Sequence, residues 1–181
     1  MEERLIELAL ECGAYKAAVI PQEQIVLSEQ FREICATNAC GMYGKSYACP
    51  PDIGGIGPLM ERVRQYPKAL LYQSVKPLED SFDFEGMMAA GETHAATCRR
   101  IHVLAKELLG DRMFHLGGGG CRLCPTCARL ENLPCRYPDM VLPPMEGCGV
   151  DVYQTVKDTD LKYINGQNTV TYFGLLLFEE G

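Results

Sequence analysis

Apolar residues recur along the chain at helical spacing in some segments and at strand spacing in others. The longest helical pattern opens at Ser81 and carries apolar or small residues at three- and four-residue steps to Leu108, before Gly110 ends it. A shorter pattern of the same kind covers Glu2 to Cys12, and Gly13 ends it. Both segments are predicted to be amphipathic helices.

Shorter segments alternate between helix and strand. Further helices are predicted over 28–34, 59–66 and about 151–157. Strands are predicted over 14–20, 24–27, 69–75, 112–116 and 169–178. This alternation favours one α/β domain, residues 1–181, in which a small, mostly parallel or mixed sheet is flanked by helices.

Two cysteine-rich segments, at about 35–58 and 117–149, show neither the helical nor the strand spacing of apolar residues. Cys40 to Pro58 holds five glycines and three prolines, so it is predicted to be a loop whose shape comes from something other than a core. Four consecutive glycines, Gly117 to Gly120, open the second segment. The predicted domain therefore carries two cysteine-rich loops.

The composition narrows the class of protein. With 47% hydrophobic and 23% charged residues, the 181-residue chain is typical of a globular domain. Its 17 basic and 24 acidic residues give a net charge of −7, which argues against nucleic-acid binding. No apolar run reaches the roughly 20 residues of a membrane helix. Because Met1-Glu2-Glu3-Arg4 is not typical of a signal peptide, we expect a cytoplasmic protein without membrane or nucleic-acid partners.

The chain contains ten cysteines, and this feature of its composition restricts the possible functions more than any other. Disulfide frameworks occur in short secreted domains, whereas clustered cysteines in a reducing cytoplasm more often bind a metal or an iron–sulfur cluster. Metal binding is therefore the working hypothesis, and a disulfide framework is the less favoured alternative.

The strongest chemical pattern consists of Cys121, Cys124, Cys127 and Cys135, which are separated by two, two and seven residues. Thiols separated by two residues wrap a tight turn, and each can bind a different iron of a four-iron cluster. The bacterial ferredoxin run is similar, although it has three residues before its last cysteine and a proline directly after it. Zinc is the alternative, but a third cysteine so close has no obvious place in a tetrahedral site made from paired knuckles.

The surroundings of this run suit an anionic cluster. Gly117 to Gly120 can bring backbone N–H groups close to an anionic centre. The run contains Arg122, Arg129 and Arg136 against Glu131, a local charge of +2 in a chain of −7. The arginines could equally solvate an exposed loop, and the glycines lack the Gly-Lys-Ser/Thr ending of a phosphate-binding loop.

A second set, Cys35, Cys40 and Cys49, lies in the first loop and is predicted to bind a second, distinct centre. This loop is rich in glycine and proline, so a bound inorganic centre would fix its conformation. The fourth ligand is undetermined. Cys148 is the nearest candidate by residue type, and an open iron site or a non-cysteine ligand is the alternative. Three unligated buried thiols, or one site shared by both runs, are further alternatives.

Three stretches around these cysteines are specific in sequence. They are Cys40-Gly-Met-Tyr-Gly-Lys-Ser-Tyr-Ala-Cys49-Pro-Pro, Gly-Gly-Cys121-Arg-Leu-Cys124-Pro-Thr-Cys127-Ala and Pro134-Cys135-Arg-Tyr-Pro-Asp. Together with Met145-Glu146, Gly149-Val-Asp151-Val and the ending Thr171-Tyr-Phe-Gly-Leu-Leu-Leu, they resemble a bacterial and archaeal family of predicted metal-binding proteins of unknown function. The resemblance covers nearly the whole chain and departs at Pro144, where serine is expected. It implies metal held by cysteine, chiefly as iron–sulfur, and no known reaction.

Other candidate residues are weaker. His94 and His102 share one face of the long predicted helix with Cys98, but they would lie about 12 Å apart along its axis, too far for one ion to bind both. Cys98 and Cys12 are predicted to be buried thiols of the core. The chain has no Gly-x-Ser-x-Gly elbow and no evident carboxylate pair, so no catalytic residue is identified.

Three functions remain. The favoured one is a cytoplasmic iron–sulfur protein, with one or two four-iron clusters, that transfers electrons to a redox protein partner. The first alternative is an enzyme or accessory factor whose three-cysteine cluster leaves one iron open to a small ligand. The second is a structural zinc-binding protein.

Overall fold

The computed structural model describes residues 1–181 and contains five α-helices and a four-stranded sheet. The helices are α1 (Glu2–Glu11), α2 (Gln30–Ala36), α3 (Ile56–Arg64), α4 (Phe84–Leu109) and α5 (Val152–Val156). The strands are β1 (Lys16–Pro21), β2 (Lys68–Pro77), β3 (Met113–Leu116) and β4 (Thr169–Phe178). None of the helices combines the length and the apolar character needed to cross a membrane.

Most predicted elements are confirmed, and the differences are local. The short strand expected over 24–27 is absent, because Gln22–Gln24 form a turn of 3₁₀ helix. Helix α4 begins at Phe84, three residues after its predicted start. The reason is its N-cap: the carboxylate of Asp83 accepts a hydrogen bond from the amide of Gly86 at 2.8 Å.

The sheet has the order β1-β2-β4-β3, and every pair of neighbouring strands is antiparallel. The prediction of a mostly parallel or mixed sheet is therefore wrong. Strands β2 and β3 do run in the same direction, with α4 between them in sequence, so the predicted strand–helix–strand unit is present. However, β4 inserts between β2 and β3 and pairs antiparallel with both, which alternation along the sequence does not reveal.

The sheet separates two hydrophobic cores, because successive side chains of a strand face opposite sides. On one face, α1 and α4 cover Leu70, Tyr72 and Leu176. On the other face, Leu71 and Leu175 pack against α3, α5 and the end of the second cysteine-rich segment. Ile53 of the first cysteine-rich segment and the end of the second therefore lie on this face, whereas Leu142 of the second segment packs against the first core.

Hydrogen bonds tie the two cysteine-rich segments together. Arg129 of the second segment donates to Asp52 of the first at 2.7 Å, and the hydroxyl of Tyr47 donates to the carbonyl oxygen of Leu133 at 2.6 Å. Arg32 of α2 donates to one carbonyl oxygen in each segment, at 2.7 and 2.8 Å. Polar contacts therefore hold the two cysteine-rich segments against each other and against α2.

The sheet predicts a specific effect of substitution at Gly174, which lies opposite Tyr72 in the register of β2 and β4. A Cβ at position 174 would overlap the buried ring of Tyr72. We expect Gly174→Ala to reduce the free energy of unfolding by about 1–3 kcal/mol, because the core must shift to accept it. Urea denaturation measures the change.

Gly57→Ala is the matched control, because a Cβ at position 57 in α3 would meet no atom within 4 Å apart from its chain neighbours. Its urea midpoint should change less than that of Gly174→Ala, since the helix propensity of alanine offsets the restriction that the following Pro58 places on a residue with a Cβ. An unchanged midpoint for Gly174→Ala would contradict the packing of Tyr72 over β4.

Candidate metal centre

Four of the five cysteines of the second segment line one small cavity. Cys121, Cys124, Cys127 and Cys135 all contribute to its wall, and residues 46–48 of the first segment form another part of it. The thiols predicted to hold a first centre are therefore neighbours in the fold.

The electrostatics of this cavity favour a cation. Burial raises the pKa of Cys121, a hydrogen bond from the backbone N–H of Leu123 lowers it, and the charges of the other three cysteines raise it again. A cation bound among the four sulfurs would stabilise their thiolate forms, because thiolates are the metal-binding form of cysteine. Soft thiolate donors in such a set fit zinc or iron–sulfur chemistry.

The three arginines of this run have different surroundings. Arg129 pairs with the aspartate of the first segment described above, and Arg136 donates to the carbonyl oxygen of Thr126 at 2.9 Å. Arg122 takes part in none of the ion pairs of the structure. Its guanidinium lies beside Gly91 of α4. Two of the three cations, Arg122 and Arg136, therefore have no acidic partner.

The glycine run leads from β3 to the first of these cysteines along β4. A Cβ on Gly118 would lie 2.6 Å from the carbonyl oxygen of Phe173 and 3.4 Å from Nε2 of His94, so only glycine fits here. Close approach to the sheet and to α4 thus accounts for this glycine, and a role toward an anion stays a prediction.

The second set of thiols lines a larger cavity of about 700 Å³. Cys35 lies in the last turn of α2, and Cys40 and Cys49 lie in the irregular segment that follows. The glycine run and the beginning of β4 form other parts of the wall. The three cysteines predicted to hold a second centre therefore share a cavity, and it is distinct from that of the first four.

The two cavities are close neighbours. Burial raises the pKa of Cys49 to about 11; the charge of Cys40 raises it too, a hydrogen bond from Ser46 lowers it, and the charges of Cys35 and Cys121 add to the increase. Ala48 and Cys121 line the first cavity, and their chain neighbours Cys49 and Gly120 line the second, so the two cavities adjoin at these residues.

Cys148, the predicted candidate for a fourth ligand, is fully buried in the second hydrophobic core. Burial raises its pKa to about 12, and it does not line the larger cavity. Glu146 does line it, and burial raises the pKa of this carboxyl group. The sequence analysis did not identify Glu146 as a ligand. The sequence feature that could have indicated this residue is a carboxylate two residues before a cysteine, in an otherwise apolar, glycine-containing stretch.

Across residues 1–181, no group of three or more histidine, cysteine, aspartate or glutamate side chains is arranged to hold a single metal ion. The thiols of each set line a common cavity without converging on one point. Binding of a single metal ion by either set would therefore involve movement of its loop, whereas a four-iron cluster is held by thiols that stay apart, each on a different iron.

A buried polar network lies beneath the glycine run. His94 donates from Nε2 to the carbonyl oxygen of Phe173 at 3.0 Å and accepts at Nδ1 from the hydroxyl of Ser74 at 2.8 Å. The thiol of Cys98, buried as predicted, lies 3.3 Å from the same Nε2. His102 instead donates to a backbone carbonyl of the second segment at 3.1 Å. The two histidines thus have separate partners.

Comparison with known proteins gives one finding. A family model described as "Predicted metal-binding protein (DUF2284)" matches residues 18–178, nearly the whole chain and both cysteine-rich segments. Neither the curated proteins nor the solved structures gave a match. The family description specifies metal binding and names no particular metal or reaction.

The burial of His94 predicts a pH dependence of stability. Burial lowers its pKa to about 4, below the ordinary value of 6.5. Between these values the unfolded state binds more protons, so the stability that depends on neutral His94 is present above pH 6.5 and is lost as the pH falls toward 4. We expect His94→Gln to remove about 2 kcal/mol of the decrease in unfolding free energy between about pH 7 and pH 5.

Urea denaturation at several pH values measures this slope. Burial also lowers the pKa of His102 and of His115, so part of the decrease should persist in the variant. Identical slopes for the wild type and His94→Gln would show that His94 titrates normally in the folded protein.

Proposed function

Because the chain belongs to the DUF2284 family of predicted metal-binding proteins, as its sequence indicated, we propose that it is an iron–sulfur protein. In this proposal it accepts single electrons and passes them to a redox protein partner in the cytoplasm. One or two four-iron clusters are its cofactors, and cysteines are their ligands.

The observation that carries the proposal is the cavity shared by Cys121, Cys124, Cys127 and Cys135. Four thiols within one short loop make up a complete ligand set for a four-iron cluster. Bound there, such a cluster would supply a one-electron redox couple. The hydrogen bond from the backbone N–H of Leu123 supports this assignment, because N–H groups near the ligand sulfurs stabilise negative charge on them.

Residues of the first segment limit access of water to these thiols. Ala48 is fully buried and Ser46 is nearly so, and both line the same cavity. Val141 and the ring of Tyr137 contribute further apolar surface to the wall. Hydrophobic cover of this kind controls solvent access and the local dielectric, and therefore the reduction potential of a metal centre.

The second centre in this proposal is held by Cys35, Cys40 and Cys49. The two cavities adjoin at residues 48–49 and 120–121, which supports exchange of electrons between two centres in one chain. Cys148 stays the predicted cysteine candidate for a fourth ligand. Glu146 is the non-cysteine alternative, because it lines the cavity that the three thiols share.

A second function, that of an enzyme or accessory factor, is favoured by one observation. The cavity beside Cys35, Cys40 and Cys49 has a volume of about 700 Å³, which is within the range of small-molecule sites. Three cysteines leave one iron of a cubane without a protein thiolate, and such an iron is a Lewis acid open to a ligand.

Metal analysis tests the proposal directly. Protein purified without oxygen should be brown and contain iron and acid-labile sulfide in equal amounts, since a four-iron cluster has four of each. A colourless protein that contains zinc and no iron would overturn the proposal in favour of a structural zinc site.

Substitution of one ligand tests the first set. We expect Cys124→Ser to lose about four irons per chain and much of the visible absorbance. Its unfolding midpoint should also fall, because cluster binding orders the loops. Cys12→Ser is the matched control: this buried thiol packs in the first core with α1 and α4, so its iron content should equal that of the wild type. Full iron in Cys124→Ser would contradict the assignment.

A second substitution distinguishes one metal centre per chain from two. Cys40 is exposed, so Cys40→Ala removes a thiol without disturbing a core. Two cubanes predict about eight irons per wild-type chain and about four in the variant. About four irons in the wild type, all lost in Cys40→Ala, would instead mean one site shared by both sets.

A further inference from the structure

We propose that the cavity beside Cys35, Cys40 and Cys49 binds a small organic monocarboxylate with an apolar body. Its carboxylate faces Arg122 and the backbone N–H groups of Gly119 and Gly120. The inference rests on the proposed function in one respect, since it places this ligand at the second centre. The proposed carboxylate contacts a different part of the cavity wall from the three cysteines, and no metal ligand is predicted in that part.

Arg122 supplies the cation. Its guanidinium and the hydroxyl of Tyr172 meet at Gly91, where a Cβ would lie 3.2 Å from Nη2 of Arg122 and 3.3 Å from that hydroxyl. Tyr172 donates its proton to the carbonyl oxygen of Met87 at 2.9 Å. It therefore presents an oxygen, and no negative charge, to the arginine. A guanidinium without an acidic partner at a cavity wall is suited to bind a carboxylate through two parallel hydrogen bonds.

The glycine run supplies further donors. The amides of Gly119 and Gly120 donate to no backbone acceptor in the structure, and both residues line the cavity next to Arg122. Consecutive unpaired N–H groups favour an anion. They add to the guanidinium at the same wall.

The charges of the cavity favour a monoanion. Arg122 is the only arginine or lysine among its lining residues, and Glu146 is the only aspartate or glutamate. One cation opposite one acid leaves no excess positive charge, and thiolates of the second centre would add negative charge, so a dianion such as a phosphate monoester would be poorly compensated. A monocarboxylate requires only the single guanidinium and its neighbouring amides.

The remaining wall is apolar and partly open. Phe31 and Ile34 of α2, Met42 and Tyr163 line it, and the side chain of Ile34 is 58% exposed. Such surface stabilises an apolar ligand body by removing both from water. An eight-atom cubane needs on the order of 250 Å³ if each atom takes the volume of a liquid water molecule. More than half of the 700 Å³ would remain for a ligand.

Calorimetry with benzoate and its neutral analogue benzamide tests the inference on the anaerobically purified protein. We expect benzoate to bind and benzamide to bind about 10- to 100-fold more weakly, because charge-assisted hydrogen bonds are lost. Arg122→Gln should weaken benzoate binding by a similar factor, and Arg100→Gln, which removes an exposed arginine that does not line the cavity, should not. Ile34→Glu, which adds a negative charge at an exposed lining position, should also weaken benzoate.

Benzoate should also change the EPR spectrum of the reduced wild-type protein, because the ligand lies beside the second centre. Absence of benzoate binding, or equal affinities in Arg122→Gln and Arg100→Gln, would overturn the inference even if iron and sulfide are present. Iron and sulfide are measured on the same samples. If they are absent while Arg122-dependent binding of benzoate persists, the proposed function fails and the carboxylate site stands.

Discussion

β4 lies between β2 and β3, and this position determines how the cores and the cysteine-rich segments are arranged. Because β4 pairs with both strands, it occupies the centre of the sheet and contributes apolar residues to both cores. β3 is only four residues long, so the chain after Leu116 follows β4 as a glycine run instead of a strand. That run passes the carbonyl of Phe173 at a distance that only glycine allows. The glycine run thereby places the second cysteine-rich segment beside the first.

The cysteine-rich layer is stabilised differently from the two cores. Its segments are joined by individual polar contacts, such as those between Arg129 and Asp52 and between Tyr47 and Leu133, and contain few buried apolar side chains. Ordering such a glycine- and proline-rich backbone costs conformational entropy that little burial offsets. A bound centre would therefore determine the conformation of this layer more than its own packing does, and folding and metal binding would be coupled.

Predictions from the sequence succeeded where the signal is local. The bounds of β4 and the extent of α4 follow from apolar spacing, and the burial of Cys98 follows from its position in the α4 stripe. The strand expected over 24–27 failed because a run of that length is too short for periodicity to separate strand from turn. The parallel sheet failed for another reason: strand–helix alternation describes neighbours in sequence, and β4 joins its partners from a distance.

Most of the elements, the two sets of thiols and the resemblance to a metal-binding family were predictable from the sequence, since periodicity and cysteine spacing are properties of short stretches. The antiparallel pairing of the sheet, the adjoining of the two cysteine-lined cavities and the burial of Cys148 in a core were set by the tertiary structure. It also brought Arg122 and Glu146 to the cavity of the first segment's cysteines. These are contacts between residues far apart in the chain, and they follow from how strands pair and layers pack, which no local pattern encodes.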